Sequence, residues 1–154
     1  MIYSGAIFSD DKIYRYQLWR KWYDGDNFLV FIGLNPSTAN EYEHDPTIRR
    51  CISFAANMGY SGMYMMNLFA FRSTDPSKLL QVDDPIGPDN NEHLLEVCKD
   101  RHVIAAWGNS GSFLRRCDWL TCNIKGVYCF GLTKQGQPKH PLYLKKDTEL
   151  IKWS

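Results

Sequence analysis

Phe28-Leu-Val-Phe-Ile-Gly-Leu-Asn-Pro-Ser-Thr-Ala39 changes character halfway along its length. Phe28 to Ile32 is an unbroken apolar run, rich in β-branched and aromatic residues and closed by Gly33. That composition predicts a strand buried on both faces. Gly33-Leu34-Asn35-Pro36-Ser37 then sets a permissive glycine, a polar amide and a φ-locked proline at the strand's end. In a parallel α/β sheet, ligands bind just beyond the carboxyl ends of the strands. Asn35, held by Pro36, is expected at that position. The same residues also suit a capped turn in which Asn35 bonds only its own backbone.

Upstream, two β-prone pieces flank the turn signal Ser9-Asp10-Asp11, so residues 1–23 are expected to form a hairpin at the sheet edge. The second piece alternates Tyr14, Tyr16 and Leu18 with Arg15, Gln17 and Trp19, the pattern of an exposed antiparallel strand. Arg15, Arg20 and Lys21 among aromatics fit either a nucleic-acid contact or a solvated face. Downstream, Ile48, Cys51, Ile52, Ala55 and Ala56 fall at helical spacing, predicting a helix over 47–58. Asp45 is its expected N-cap, Pro46 its first residue and Gly59 its stop. Further strands are predicted at 62–71, 102–107 and 126–132, with helices at 91–100, 112–120 and 147–153. Asn67 is the polar exception in the second strand, and a buried amide needs partners.

Strands alternating with helices predict an α/β fold: three layers, α/β/α, around a central four-stranded, mostly parallel sheet, plus the N-terminal β-hairpin. That topology would gather Asn35, Asn67, Gly108-Asn109 and His140 around one cleft. A chain of 154 residues with 44% hydrophobic content suits one domain. The net charge of +1 excludes a global basic field but leaves room for a local basic rim. Cys51, Cys98, Cys117, Cys122 and Cys129 are odd in number and contain no CxxC pair, which argues against a closed zinc site or iron–sulfur cluster. No metal and no cofactor are expected. GxxxxGK[ST] and GxGxxG are both absent, against a P-loop enzyme and a plain dinucleotide binder. Without a signal-peptide pattern or an apolar run of transmembrane length, a cytoplasmic, soluble monomer with no membrane partner is expected.

Four segments, in order, resemble the motifs of the uracil-DNA glycosylase superfamily. Phe31-Ile-Gly-Leu-Asn-Pro-Ser37 resembles its first motif, a buried strand ending Gly-x-Asn-Pro. Tyr64-Met-Met-Asn-Leu-Phe-Ala-Phe-Arg72 resembles its second-strand segment, and Val103-Ile-Ala-Ala-Trp-Gly-Asn109 its Leu-Leu-Trp-Gly-like strand end. Lys139-His-Pro-Leu-Tyr-Leu144 resembles its last motif, the insertion loop. The chain most resembles a small bacterial and phage domain family within that superfamily. The resemblance covers residues 28–145 and implies a single glycosylase-like domain over 1–154. Its implied activity is hydrolysis of the N-glycosidic bond of a damaged or modified base in DNA.

On that resemblance, Asn35 positions the attacking water and His140 donates to the oxygen of the leaving base. Asn67 reads the base edge, with Gly33, Leu34, Phe69 and Trp107 completing the base site. Lys139, Leu142, Tyr143, Lys145 and Arg72 would meet DNA, Leu142-Tyr143-Leu144 acting as a wedge in the duplex. Two departures stand out. The serines that follow His-Pro in the superfamily are replaced by Leu142, Tyr143 and Leu144, and the first motif carries Asn35 without the aspartate of the most active branch. Asp45 fits a general base as well as an N-cap. A catalytically silent module that recognises modified DNA, and a hydrolase or transferase of free nucleotides, are the competing readings.

Overall fold

The computed structural model describes residues 3–154. β1 (Tyr3–Phe8) and β2 (Arg15–Lys21) pair antiparallel around a turn in which Asp11 accepts from the Ser9 hydroxyl and the Ile13 N–H. The first two residues of the expected hairpin lie outside the described residues. β3 (Phe28–Gly33) runs parallel to both β4 (Gly62–Asn67) and β5 (Val103–Ala105), and β5 runs parallel to β6 (Val127–Cys129). β7 (Ile151–Lys152) returns antiparallel to β6.

Among the described residues these strands make one seven-stranded mixed sheet, in the order β1-β2-β4-β3-β5-β6-β7, with three α-helices. The expected four-stranded, mostly parallel sheet is therefore corrected: the hairpin expected at its edge is hydrogen-bonded into it, and β7 adds a further antiparallel strand. The reason lies at the two edges. An unpaired β4 would leave a row of open N–H and C=O groups. β2 closes it, pairing from Trp19 opposite Tyr64 to Lys21 opposite Gly62, and the Arg15 N–H extends the contact to the Ala70 carbonyl at 3.0 Å. At the far edge, residues 147–153 do not form the expected helix. Seven residues are too few to nucleate one without strong packing. Ile151 pairs with Cys129 instead, and the Trp153 N–H donates to the Val127 carbonyl at 2.8 Å.

β2 also departs from the exposed strand that its alternation predicts. Ile7 faces Gln17 and Phe8 faces Arg15, so Tyr16 is an extra residue, a β-bulge. The bulge resets the alternation. Tyr16 and Gln17 both turn to α2 (Asn90–Cys98), where Tyr16 stacks on the His93 ring at 4.8 Å and the Gln17 amide meets His93 Nδ1 at 2.8 Å. Arg15 falls on the other face, with Leu18 and Arg20. Arg15 and Arg20 are 3% and 0% exposed, which removes both from any nucleic-acid-facing surface patch.

Two cores form, one per sheet face. Leu29, Phe31, Met63, Met65 and Ile104 meet α1 (Pro46–Asn57) through Ile48, Cys51 and Phe54. Val30, Ile32, Met66 and Val103 meet α2 and α3 (Arg116–Asn123) through Leu94, Val97 and Leu120. α1 begins as its residues dictate: the Asp45 carboxylate accepts the Ile48 N–H at 2.9 Å and Pro46 opens the helix. The helix expected at 112–120 starts later, because Leu114 and Arg115 take left-handed backbone (φ 51° and 56°) between a 3₁₀ segment and α3.

Candidate functional site

β3 lies between β4 and β5, and the chain must cross it to pass from one neighbour to the other. Such a switch point leaves a crevice beyond the carboxyl ends of the strands. The crevice here is a cavity of about 280 Å³ on the α1 side of the sheet. Along its base, following strand order, lie Arg15 of β2, Met65 and Asn67 of β4, Gly33 at the end of β3 with Leu34 to Ser37 after it, and Trp107 after β5. Asp45, Thr47 and Ile48 form the α1 wall, Ser73, Thr74 and Pro76 another, and His140 completes the lining.

Asn35 stands at the turn after β3. Its Nδ2 donates to the carbonyls of Ser73 (2.9 Å), Pro36 (3.1 Å) and Phe71 (3.4 Å). Three carbonyls around one terminal atom identify that atom as nitrogen. The amide oxygen therefore points the other way and has no partner among the described residues. Asn67 is 3% exposed, and its side-chain amide likewise has no hydrogen-bond partner among the described residues. The amide has room because residue 33 is glycine: a Cβ there would sit 3.1 Å from Asn67 Oδ1 and 2.6 Å from Met65 Cε.

His140 precedes a 3₁₀ turn, Pro141–Tyr143, and its Nδ1 accepts the Leu142 N–H at 3.2 Å. That bond puts the proton of the neutral ring on Nε2. Burial of the ring among its neighbours lowers its pKa below the ordinary histidine value, against a smaller upward pull from Asp45. Asp45 Oδ1 is committed to the Ile48 N–H, and its other oxygen has no partner among the described residues.

Arg15 was not among the expected site residues. Its Nη1 donates to the Ala39 carbonyl at 3.0 Å, and its Nε is buried without a partner. Burial pushes its pKa down to about 10, partly offset by Asp45. The signal that could have found it is the bulge, which no alternation pattern reveals. Its neighbour Arg20 is bonded throughout: Nη1 to Trp19 O, Nη2 to Asn40 O and Glu43 O, and Nε to His44 Nδ1.

Of the expected site residues, Gly33, Leu34, Asn35, Asn67, Trp107 and His140 meet at the cavity. Trp107 is 2% exposed, with its indole N–H donating to Gln137 Oε1 at 3.0 Å and its ring against Trp153. Phe69, expected in the base site, does not line the cavity: β4 ends at Asn67, strict alternation lapses there, and Leu68 and Phe69 both enter the core of the opposite sheet face, Phe69 5.4 Å from the Phe113 ring. Asn109 is exposed and accepts from the Thr133 hydroxyl, outside the cavity. Arg72 is folded over the Phe8 ring at 4.6 Å and donates to the Lys12 carbonyl. Lys139 and Lys145 are exposed, Leu142 is half-buried, and Tyr143 is 93% exposed three residues from His140.

Among the described residues no cluster of three or more His, Cys, Asp or Glu side chains could hold a metal ion. None of their helices is long and apolar enough to cross a membrane. A mixed α/β sheet with a crevice at its switch point, apolar-walled and carrying a few polar groups, defines the class. The chain belongs to the family described as Protein of unknown function (DUF1643), whose model matches residues 15–142. No curated protein and no solved structure matches it.

Proposed function

We propose that this protein recognises a nucleobase in DNA and hydrolyses its N-glycosidic bond. The observation that carries the reading is Asn67, a buried amide with no partner among the described residues, sharing one cavity with the Asn35 oxygen and His140. Breaking a base–sugar bond builds negative charge on the base oxygen and positive charge on the sugar. His140 Nε2–H meets the first as a neutral donor. The Asn35 oxygen orients a water toward the sugar carbon, and the free Asp45 oxygen faces the growing positive charge. Asn67 offers a donor and an acceptor side by side to the base edge. A flipped base must be replaced in the stack, and Tyr143, 93% exposed beside His140, is the residue for that, with Lys139 and Lys145 toward phosphates.

The test is single-turnover strand nicking after alkali, with oligonucleotides carrying uracil, hydroxymethyluracil, hypoxanthine, thymine opposite guanine, and hypermodified pyrimidines. Wild type is expected to release one of these bases. Asn35→Ala and His140→Ala are each expected to slow release by about 10²–10³-fold, the usual cost of one transition-state contact. Base-dependent binding without release of any base would overturn the reading in favour of a silent recognition module.

A further inference from the structure

Burying a cation costs stability unless it is paired. Arg15 is 3% exposed and carries its charge beside the cavity, yet it has no ion-pair partner: among the described residues the one ion pair is Arg115 with Asp118, on the surface. Its role as a loop anchor is slight. Arg20, from the same strand and face, already grips the same loop at Asn40, Glu43 and His44. Arg15 adds one bond, through Nη1. What it leaves open is Nη2, which has no partner among the described residues, while Nε beside it is buried and equally unpaired. The β-bulge at Tyr16 is what turns the Arg15 side chain toward the cavity.

We propose that the β2 end of the cavity is a phosphate-binding subsite, with Arg15 as its receptor. Other donors converge there. α1 is 12 residues long, and the Thr47 N–H in its first turn has no partner among the described residues, whereas Ile48 is capped by Asp45. Thr47, Ser37 and Thr74, whose hydroxyls have no protein partner among the described residues, line the same cavity. Asp45 sits on the same wall and opposes a second negative charge. That balance favours a singly charged phosphodiester over a dianionic monoester. The span also fits a whole nucleotide. The cavity crosses the ends of β2, β4, β3 and β5, three strand spacings or about 14 Å, with Arg15 at one end of that span and Trp107 at the other. The subsite extends the reading above to a further part of the ligand and does not depend on base cleavage.

The experiment is a ¹H–¹⁵N titration of the full chain with inorganic phosphate, with chloride at matched ionic strength as the control. Saturable shifts are expected at the Arg15 Nε–H and the Thr47 N–H, and Arg15→Gln is expected to weaken binding at least about tenfold. Arg15→Lys keeps the charge without the fork and should fall between the two. Titrations with a thymidine dinucleotide and with thymidine 5′-monophosphate separate the sources: tighter binding of the first assigns the subsite to a nucleic-acid strand, of the second to a free nucleotide. An Arg15 Nε–H unmoved by phosphate, read on the wild-type protein and so free of any folding defect, overturns the subsite. Equal phosphate affinity in wild type and Arg15→Gln overturns it too.

Discussion

The two faces of the sheet treat their buried polar groups differently at the end of one strand. On the α2–α3 face, Asn90 donates to the carbonyls of Asn67 (3.0 Å) and Leu68 (3.1 Å), and Arg116 Nε donates to Leu68 (2.9 Å). Their remaining atoms, Asn90 Oδ1 and Arg116 Nη2, are sealed without partners, and the Arg116 guanidinium lies 4.6 Å over the Trp119 ring. On the α1 face, the Asn67 amide, the Asn35 oxygen and Arg15, whose Nη2 is unpaired, meet at a cavity instead. One face uses its polar groups to hold backbone in place. The other keeps donors and acceptors in reserve at a costly location. Buried groups with no protein partner are where a ligand gains most by binding.

The largest effect that sharpens this contrast is within β2. Arg20→Met removes the bonds to Asn40, Glu43 and His44 that hold the loop before α1, and is expected to destabilise the fold by about 3–5 kcal/mol in urea unfolding. Asn90→Ala frees two carbonyls at the end of β4 and should cost about 2–3 kcal/mol by the same measurement. Arg15→Met is expected to change stability by less than about 1 kcal/mol, or to raise it, because it replaces an unpaired buried charge with an apolar chain. An Arg15→Met loss as large as that of Arg20→Met would erase the distinction between anchor and receptor.

The smallest expected effect is a pH dependence. His44 has its pKa lowered by burial and by the Arg20 and Arg49 charges, and its Nδ1 accepts from Arg20 Nε. His140 is lowered as well. Both folded-state values lie below the ordinary 6.5, so the unfolded chain takes up protons first as the solution is acidified. Their contribution to stability is whole above that value and declines as pH falls through it toward the folded pKa values. Urea midpoints measured from pH 7.5 down to pH 5 should fall, and His44→Gln should flatten part of the decline. A midpoint that rises on acidification would contradict both assignments.

Local chemistry made several elements legible. The capping pair Asp45 and Pro46 announced α1, since a carboxylate acceptor and a missing N–H act within one turn. The buried run Phe28 to Ile32 announced β3, and the Gly-Leu-Asn-Pro turn announced Asn35 at its end. Asn67 was legible as an amide in an apolar strand. Other features were set by contacts distant in sequence. Phe69 reads as well for a base site as for a core, and only the direction of the chain after β4 sends it to the opposite face. Ile151 and Lys152 read as part of a helix, until β6 supplies an edge for them to pair with.

The sequence by itself determined the switch-point strand, the helix that caps beside it and the amides at the strand ends, because each depends on neighbours within a few residues. Tertiary structure alone decided that the C-terminal residues add a strand to the far edge and that a single extra residue in β2 turns Arg15 into the cavity. A bulge is a matter of register between two strands, and register is settled by what both strands pack against.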